Sequence, residues 1–578
     1  MLDIVNITKN SYLCSIFNLN TMLRNIFTLV VCVLATILTT SAQTPPNNEI
    51  WYTTTDECKI SITNLDDVAS HAYVNGKGVI KFNNSVTEIG FVAFEGCTSL
   101  TSVTIPDSVT WIGKGAFSGC TSLTSINIPN SVTQIGEYAF SGCTSLTSIN
   151  IPNSVTQIED YAFYGCTSLK SINIPDSVTN IEDGTFAGCT SLTSITIPNS
   201  VTKIGGGAFA GCTSLKSFKS KFASADGRCL IKDGVLLAFA PAGLTSYTIP
   251  YGVTQIGFWA FYGCTSLTNI TIPDSVTEIR GWAFHGCTSL TSITIPDSVT
   301  EIGWGAFEGC TSLPIINKIR YADTYLVEAV DKSLTSYPIK AGTRFIGNDA
   351  FDGCTSLTSI TIPDSVTQIG WGAFPDCTSL TSITIPDSVT QIGHWAFSGC
   401  TSLTSITIPN SRIEIEDDAF EGCNIEQITI SAVTGNIFRG CDGLDPSKVV
   451  AYTGKYASED GRCLIKDGVL IDFILGNLTS YAIPEGVKVI NPEVFSNCYI
   501  LTDITIPATV TQIGDNLFAG GSPELSITCL STTPPQISSL GISEKATIYV
   551  PEKSVNAYKK AEGWINYKKQ IKCTKVEE

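Results

Sequence analysis

The chain has 578 residues, of which 43% are hydrophobic and 15% charged, and its formal net charge is −18 with a pI near 4.7. So acidic a chain is a poor match for nucleic acid or for anionic membrane surfaces, which excludes both as expected partners. Its three histidines, His71, His285 and His394, are too far apart to predict a metal cluster or a catalytic triad. We therefore expect no cofactor, no metal site and no enzyme activity.

The N-terminal segment has the features of a secretory signal. An apolar run at residues 26–38 is preceded by a basic residue and followed by small residues up to Ala42. We expect translation to start at Met22 and residues 1–42 to be removed, so that the mature protein is secreted or held at the cell surface without membrane insertion. Residues 43–79 are predicted to form an N-terminal cap.

Most of the remaining chain repeats one 23-residue unit. Residues 355–377 read TSLTSITIPDSVTQIGWGAFPDC, and residues 378–400 differ from them at four positions only. A fixed short period of this kind is typical of a solenoid, in which each coil is stabilised by its neighbours. The unit ends in cysteine at thirteen places: Cys97, Cys120, Cys143, Cys166, Cys189, Cys212, Cys264, Cys287, Cys310, Cys354, Cys377, Cys400 and Cys423.

Each coil is predicted to contain a strand, a turn, a short extended segment (residues 132–135 in one coil) and a short or 3₁₀ helix. In one coil, Ile126 and Ile128 flank Asn127 with the alternation of a strand, and Pro129 ends that strand. From Ile135 onward the apolar spacing is helical. The predicted fold is therefore a solenoid, a curved right-handed stack of 23-residue coils with a parallel β-sheet on the concave face and short 3₁₀ or α turns opposite.

Longer coils interrupt the array at three places. Residues 221–261 and 455–495 share the core DGRCLIKDGVL, whose two β-rich runs around a turn predict a hairpin, and a decayed copy spans 317–351. We place the solenoid at 80–520, with hairpin insertions near 218–245, 317–340 and 455–478, and a C-terminal cap at 521–578.

Cysteine is frequent for an exported protein, with 22 residues, yet thirteen fall at the one inward position that ends each coil. Equivalent Cβ atoms on stacked coils would be about 4.8 Å apart, which is wider than a disulfide allows. We therefore predict buried thiols that pack as small hydrophobic groups. Cysteines outside the array, such as Cys58, Cys529 and Cys573, are the expected disulfide partners.

The pattern CTSLTSITIPxSVTxIGxxAFxxC resembles the BspA-type leucine-rich repeats, also called the Treponema pallidum type, over about residues 76–525. The hairpin insertions and the tail YVPEKSVNAYKKAEGW are also similar to members of that family. The resemblance implies a leucine-rich repeat solenoid in a secreted or surface protein of a host-associated microbe. Adhesion to host matrix proteins or to other bacteria is a property of some relatives, and the fold alone does not transfer it.

Two surfaces are candidates for ligand binding. Uncharged side chains point outward from the strands and form a polar ladder that could bind a peptide or glycan, or simply stabilise the sheet. This ladder includes Asn127, Asn150, Thr294 and Thr384. The variable positions just before each Ala-Phe pair hold Trp259, Trp282, Trp304, Trp371 and Trp395.

Spacing predicts how these tryptophans are arranged. Trp259 and Trp282 are 23 residues apart and should stack on neighbouring coils, with Trp304 one position earlier on the next coil. Such a strip would offer a platform for sugar rings or partner side chains, or it would only shield the core.

Two further motifs each allow two interpretations. The pairs Glu159-Asp160 and Glu182-Asp183 are one coil apart and suit either a calcium ion or a solvated acidic edge. The recurring turn Asp-Ser-Val, as at residues 176–178, resembles an O-glycosylation acceptor, although aspartate also suits a turn.

We therefore expect a non-enzymatic, secreted or cell-surface protein that mediates adhesion or binding to host or bacterial proteins or glycans, with host matrix among the expected partners. The alternatives are a structural cell-envelope component without a specific ligand and an accessory glycan-binding protein. The sequence leaves the oligomeric state open.

Overall fold

The computed structural model describes residues 44–60, 62, 65, 67–408, 413–416, 418–430, 451–453, 455–475 and 477–574. The predicted signal peptide lies outside these residues. The described chain divides into two compact units: the first ends at Ala208 and includes Lys219–Lys221, and the second comprises Phe209–Phe218 and the residues from Phe222 onward. Each unit is a β-solenoid whose successive coils are joined by parallel strands.

An antiparallel sheet begins the first unit. Strand Glu49–Thr54 pairs with Lys77–Phe82 on one side and with Leu100–Thr104, the first coil strand, on the other. Val68–Val74 pairs with Lys77–Phe82 and is the edge strand. Because the later coil strands pair parallel and in register, Ile149 lies opposite Ile172.

Each coil contributes to two parallel ladders, which we call the main ladder and the minor ladder. In the first unit the main-ladder strands are Leu100–Thr104, Ser125–Asn127, Ser148–Asn150, Ser171–Asn173 and Ser194–Thr196. The minor-ladder strands are Glu88–Ile89, Trp111–Ile112, Gln134–Ile135, Gln157–Ile158, Asn180–Ile181 and Lys203–Ile204. Strand Ser217–Lys219 lies where the two units meet in sequence.

The second unit has coil strands of the same two kinds. Its main-ladder strands are Ser246–Thr248, Asn269–Thr271, Ser292–Thr294, Ser382–Thr384, Ser405–Ile408, Gln427–Ile430, Ala451–Thr453, Ser480–Ala482, Asp503–Ile506, Ser526–Cys529, Thr547–Val550 and Ile571–Cys573. Its minor-ladder strands are Gln255–Ile256, Glu278–Ile279, Glu301–Ile302, Phe345–Ile346, Gln368–Ile369, Gln391–Ile392, Glu414–Ile415, Val489–Ile490 and Gln512–Ile513.

Three antiparallel hairpins widen coils of the second unit. In chain order they pair Cys229–Lys232 with Val235–Phe239, Ile319–Ala322 with Tyr325–Ala329, and Cys463–Lys466 with Val469–Phe473. A short strand, Ile315–Ile316, adds to the second hairpin. The second strand of each hairpin pairs parallel with the minor ladder, so each hairpin joins the solenoid without interrupting it.

Strand alternation sorts side chains between core and surface as the sequence predicts. Ile126 and Ile128 are buried, whereas Asn127 between them is exposed. The carbonyl of Pro129 then accepts a hydrogen bond from the Val132 N–H at 3.1 Å, which closes the turn that follows the strand.

The segment predicted as a short helical turn is a run of hydrogen-bonded turns without helix. In the coil that contains Phe140, Tyr138 has φ 55° and Gly142 has φ 70°, both in the left-handed region. The Phe140 N–H donates to the carbonyl of Ala162 in the next coil at 2.8 Å. An α-helix needs right-handed φ throughout and bonds within its own segment. The helical spacing of apolar residues therefore arises from turns that face the core.

Phenylalanines and cysteines fill the core in parallel stacks. The rings of Phe117 and Phe140 lie 5.4 Å apart with 4° between their planes. The Cys143 thiol donates to the carbonyl of Phe117 at 3.2 Å, a bond that recurs along the array. All thirteen array cysteines are buried, which confirms that prediction, and burial raises the pKa of the Cys166 thiol to about 12.

The expected disulfides outside the array are wrong, because no disulfide joins any cysteine of the described residues. Cys529 is fully buried, whereas Cys58 and Cys573 are exposed. The strands that end in Cys529 and Cys573 flank opposite sides of Thr547–Val550, so their backbones are about 9.5 Å apart. That separation exceeds the reach of a disulfide.

Three short helices lie near the C-terminal end of the second unit. The 3₁₀ helices Glu552–Ser554 and Trp564–Tyr567 and the four-residue helix Val555–Tyr558 lie between the last two strands. The Trp564 ring is fully buried against Tyr558, and its N–H donates to the carbonyl of Pro535 at 2.7 Å. Within the described residues, no helix is both long and apolar enough to cross a lipid bilayer.

Candidate ligand-binding surface

Five tryptophans of the second unit form one continuous series, which we call the tryptophan strip. Neighbouring ring centroids are 5.1, 4.4, 5.5 and 5.2 Å apart along the order Trp259, Trp282, Trp304, Trp371 and Trp395. The structure thus brings together all five tryptophans that the sequence singles out, across the coil widened by the second hairpin.

Backbone conformation sets the orientation of each ring. Three members of the strip occupy the first left-handed position of their coil: Trp259, Trp282 and Trp395. The other two come one residue earlier, because Gly305 and Gly372 take the left-handed position there. Trp259 and Trp282 are stacked with 9° between their planes, as their spacing predicts, whereas the plane of Trp304 is turned by 86° from that of Trp282.

Stacking decides which parts of the rings a ligand can reach. In the pair Trp259 and Trp282 each ring covers a face of the other, so a ligand meets mainly ring edges. Trp371 and Trp395 are 39% and 38% exposed, and the other three are partly buried. The strip therefore covers the coils beneath it and also presents apolar surface to solvent.

A cavity of about 210 Å³ opens beside Trp304, where the second hairpin widens the coil. Trp304 and Tyr325 contribute its aromatic walls. The polar side chains that line it are Glu308, Glu328, Lys332, Asn348, Asp349 and Asp352. None of these six residues was predicted from the sequence to be part of a site. The available signal was that an aspartate stands before Ala-Phe at position 349, where neighbouring coils carry tryptophan or glycine.

Two glycines leave room for neighbouring side chains at this cavity. A Cβ on Gly305 would lie 2.8 Å from Cδ1 of Trp282 and 3.1 Å from Oε2 of Glu308, and a Cβ on Gly372 would lie 2.7 Å from Oδ1 of Asp349. The distance at Gly372 is shorter than real Cβ contacts, so a side chain at position 372 would displace the Asp349 carboxylate. Gly372 thus leaves space for the Asp349 carboxylate, and Gly305 leaves space for the Trp282 ring and, next to it, the Glu308 carboxylate.

Carboxylates outnumber cationic groups around the cavity. The Lys332 ammonium is 3.1 Å from Oδ2 of Asp352. The pKa of Asp349 is raised, chiefly by burial and next by Asp352 and Glu308, while a hydrogen bond from Trp304 opposes that rise. The cavity is therefore a negatively charged recess with an aromatic wall.

The polar ladder does not form one group of side chains. Asn127 and Asn150 are paired on neighbouring main-ladder strands of the first unit. Thr294 ends one sheet of the second unit, and Thr384 begins another, where it pairs with Thr407. All four residues predicted as ligand-binding positions are exposed.

Repeated hydroxyl groups tie one coil to the coil before it. The Ser177 hydroxyl donates to the carbonyl of Val155 at 2.5 Å, and the Thr156 hydroxyl donates to the carbonyl of Thr133 at 3.3 Å. Equivalent bonds recur at the other Asp-Ser-Val and Asn-Ser-Val turns. The serine of this turn is partly buried, and its hydroxyl is hydrogen-bonded to the preceding coil. This favours a structural role for the serine over a role as an O-glycosylation acceptor.

The acidic pairs of the first unit bond to backbone groups. The Asp183 N–H donates to Oδ1 of Asp160 at 3.0 Å, and the Gly206 N–H donates to Oδ1 of Asp183 at 2.8 Å. No group of three or more His, Cys, Asp or Glu in the described residues could hold a metal ion. These carboxylates therefore cap backbone groups along an acidic edge.

The three histidines occur in unrelated surroundings. His71 Nε2 lies 2.6 Å from the Tyr52 hydroxyl, and burial lowers the pKa of that histidine. In the second unit, His285 is 3.9 Å from Glu308 and His394 is 3.5 Å from Glu416.

Comparison with known proteins identifies the repeat family of this solenoid. The family model "BspA type Leucine rich repeat region (6 copies)" matches residues 77–158, 134–225, 237–326, 329–445 and 473–542. None of the curated proteins compared with the chain matches it.

Several solved structures are similar to the chain. A leucine-rich cell-surface protein of Faecalibacterium prausnitzii is 28% identical, with 65% of this chain and 89% of that chain covered, at a TM-score of 0.31. A leucine-rich repeat protein of Eubacterium ventriosum is 28% identical, with coverages of 52% and 82% and a TM-score of 0.39. One of Bacteroides ovatus is 31% identical, with coverages of 63% and 85% and a TM-score of 0.29. Because the family model matches most of its length, the chain belongs to the BspA-type leucine-rich repeat family.

Proposed function

We propose that this protein is a non-enzymatic, secreted or cell-surface binding protein, and that the tryptophan strip with the adjoining cavity binds its protein or glycan ligand. The observation that carries the proposal is the strip itself, in which five indole rings adjoin and two are more than a third exposed. Contiguous apolar surface often marks an interaction site, and tryptophan is enriched where binding energy concentrates. The signal predicted at residues 1–42 supports export.

The domain organisation predicted from the sequence is part of this proposal. A cap at 43–79 and a cap at 521–578 would close the two ends of a solenoid at 80–520. Repeat proteins need polar terminal caps because an end coil would otherwise expose its core face. On this view the hairpin insertions are the variable parts of an otherwise uniform scaffold.

Binding to arrays of matrix proteins and glycans tests the proposal. Replacing Trp259, Trp282 and Trp304 together with Ala should abolish binding of a ligand that the unmodified protein binds saturably, while circular dichroism stays unchanged. The control variant replaces Tyr138 and Tyr161 with Ala. Those tyrosines hold the same left-handed coil position in the first unit and stack at 5.0 Å. Binding that survives the tryptophan change, or falls equally in both variants, would contradict the proposed site.

A structural role without a specific ligand is the second candidate. The observation that favours it is the use of repeated Ser and Thr hydroxyls within the protein, since groups that bond to neighbouring coils are less available to a ligand. Light scattering separates the two candidates. Concentration-dependent self-association with no saturable ligand on any array would support the structural role.

A further inference from the structure

The cavity beside Trp304 is unusual in the kinds of hydrogen-bonding groups that line it. Four of the side chains that line it are carboxylates, which only accept hydrogen bonds when ionised. Its two strongest donors are already engaged, since Lys332 is bonded to Asp352 and Trp304 to Asp349. Asn348 contributes a side-chain amide to the cavity. Its Oδ1 accepts a hydrogen bond from the backbone N–H of Trp371 at 2.9 Å.

Such a lining selects a ligand group that only donates. Each hydroxyl of a neutral sugar donates only one hydrogen bond, and its accepting oxygen would find few free donors in this cavity. A primary ammonium offers three donors and no acceptor, and a guanidinium offers five donors and no acceptor. Charge-assisted hydrogen bonds to carboxylates are also the stronger ones.

The aromatic wall favours the same class of group. An ammonium or guanidinium near the face of an indole ring is attracted by the ring's quadrupole. Trp304 is the ring at which the stack turns, and it borders the cavity directly. The long apolar stem of a lysine or arginine side chain would lie along the adjacent indole surface while its charged end reached the carboxylates.

From this arrangement we propose that the cavity beside Trp304 receives the cationic side chain, lysine or arginine, of a protein partner. This inference rests on the proposed function, because it assigns an occupant to the surface proposed there for ligand binding. Glu308 and Asp349 are the carboxylates that meet the cation, and Trp304 forms the wall against which its stem packs.

The test uses the full mature chain and a short peptide that alternates lysine with serine. Binding is measured by calorimetry and by tryptophan fluorescence at about 0.15 M ionic strength, where distant surface charges are largely screened. We expect saturable binding of the lysine peptide and, because acetylation removes the charge, binding weakened by roughly tenfold or more for the same peptide with acetylated lysines.

Charge variants locate the site. The double variant Glu308→Gln with Asp349→Asn should weaken binding of the lysine peptide by roughly tenfold or more. Asn tolerates the left-handed backbone of residue 349, where φ is 52°, so the variant should fold. The matched control, Asp233→Asn with Asp467→Asn, removes the same charge at two left-handed hairpin positions away from the cavity and should bind within about twofold of the unmodified chain.

Four outcomes would overturn the inference. Equal binding of the acetylated peptide would show that charge is not recognised, and equal loss in the control variant would show non-specific attraction to an acidic protein. Binding of an oligomeric amino sugar in place of the peptide would assign the cavity to a glycan. If binding of ligands found on the matrix-protein and glycan arrays still requires the tryptophan strip, but the lysine peptide does not bind, this inference fails and the proposed function stands.

Discussion

Asp472 is a buried carboxyl group in the third hairpin, and it should make the second unit less stable at neutral pH than at mildly acidic pH. The Tyr452 hydroxyl donates to Oδ2 of Asp472 at 2.6 Å, and the Phe473 N–H donates to Oδ1 at 2.8 Å. Burial outweighs these two hydrogen bonds and raises the pKa of Asp472 from 3.8 to about 6. The carboxylate form therefore loses more hydration than its partners restore.

The sign of the effect follows from proton binding. Between pH 3.8 and about 6 the folded chain binds more protons at Asp472 than the unfolded chain does. The free energy of unfolding therefore falls as pH rises through this window, and above it the loss is complete. A pKa difference of about two corresponds to about 3 kcal/mol. Tyr452, Cys463 and Cys498 interact with Asp472, and because their pKa values are raised they stay neutral in this window.

The first hairpin provides the matched comparison. Phe218 and Ala238 occupy the positions that Tyr452 and Asp472 occupy in the later copy. The double variant Tyr452→Phe with Asp472→Ala therefore installs an apolar pair that this chain already uses. Replacing a buried polar pair by apolar groups is often stabilising, and we expect a gain of about 1–3 kcal/mol at pH 7. Asp472→Ala alone should gain less, because it leaves the buried hydroxyl of Tyr452 without its acceptor.

Urea unfolding followed by tryptophan fluorescence measures this effect. The strip and Trp564 are all in the second unit, so the signal reports mainly on that unit. We expect the double variant to exceed the unmodified chain in stability by an amount that grows with pH across the window and is constant above it. Parallel pH profiles for the two proteins would refute the argument that burial of Asp472 is costly.

Two further predictions concern the array. Burial and the raised thiol pKa, about 12 at Cys166, should keep array cysteines unreactive toward a thiol reagent in the native protein and reactive after denaturation; mass spectrometry that finds them oxidised in pairs would contradict this. Ser177→Ala should lower the free energy of unfolding by about 1 kcal/mol, because it removes the hydrogen bond to the Val155 carbonyl. Ser125→Ala, at an exposed strand position, is the control, and equal loss there would show that the bond contributes nothing.

Much of the coil was predictable because its signals are local. Alternation at Ile126 and Ile128 with Pro129 after them defines the main ladder, and the structure has it there. Apolar spacing could not distinguish these turns from a short helix, because turns around left-handed residues such as Tyr138 and Gly142 present side chains to the core at similar intervals. The distinction depends on backbone bonds to the next coil, which no single coil specifies.

The candidate binding surface was predictable only in part, for a related reason. A spacing of 23 residues is enough to place Trp259 on Trp282. No spacing predicts that Trp304 meets Trp371, since their contact spans the coil that carries Asp349 and depends on how the second hairpin packs. The cavity also depends on how the second hairpin packs, so it could not be predicted from the sequence.

Departures from the repeat are where specific recognition becomes possible in this protein. A regular coil repeats the hydrogen bonds of its neighbour, so its hydroxyls are used internally and its aromatic rings cover one another. At Asp349 a carboxylate stands at the position before Ala-Phe that Trp282 and Trp395 hold in other coils, and Gly372 in the next coil leaves the space that this carboxylate occupies. The widened coil therefore gives an otherwise uniform surface a recess that is negatively charged.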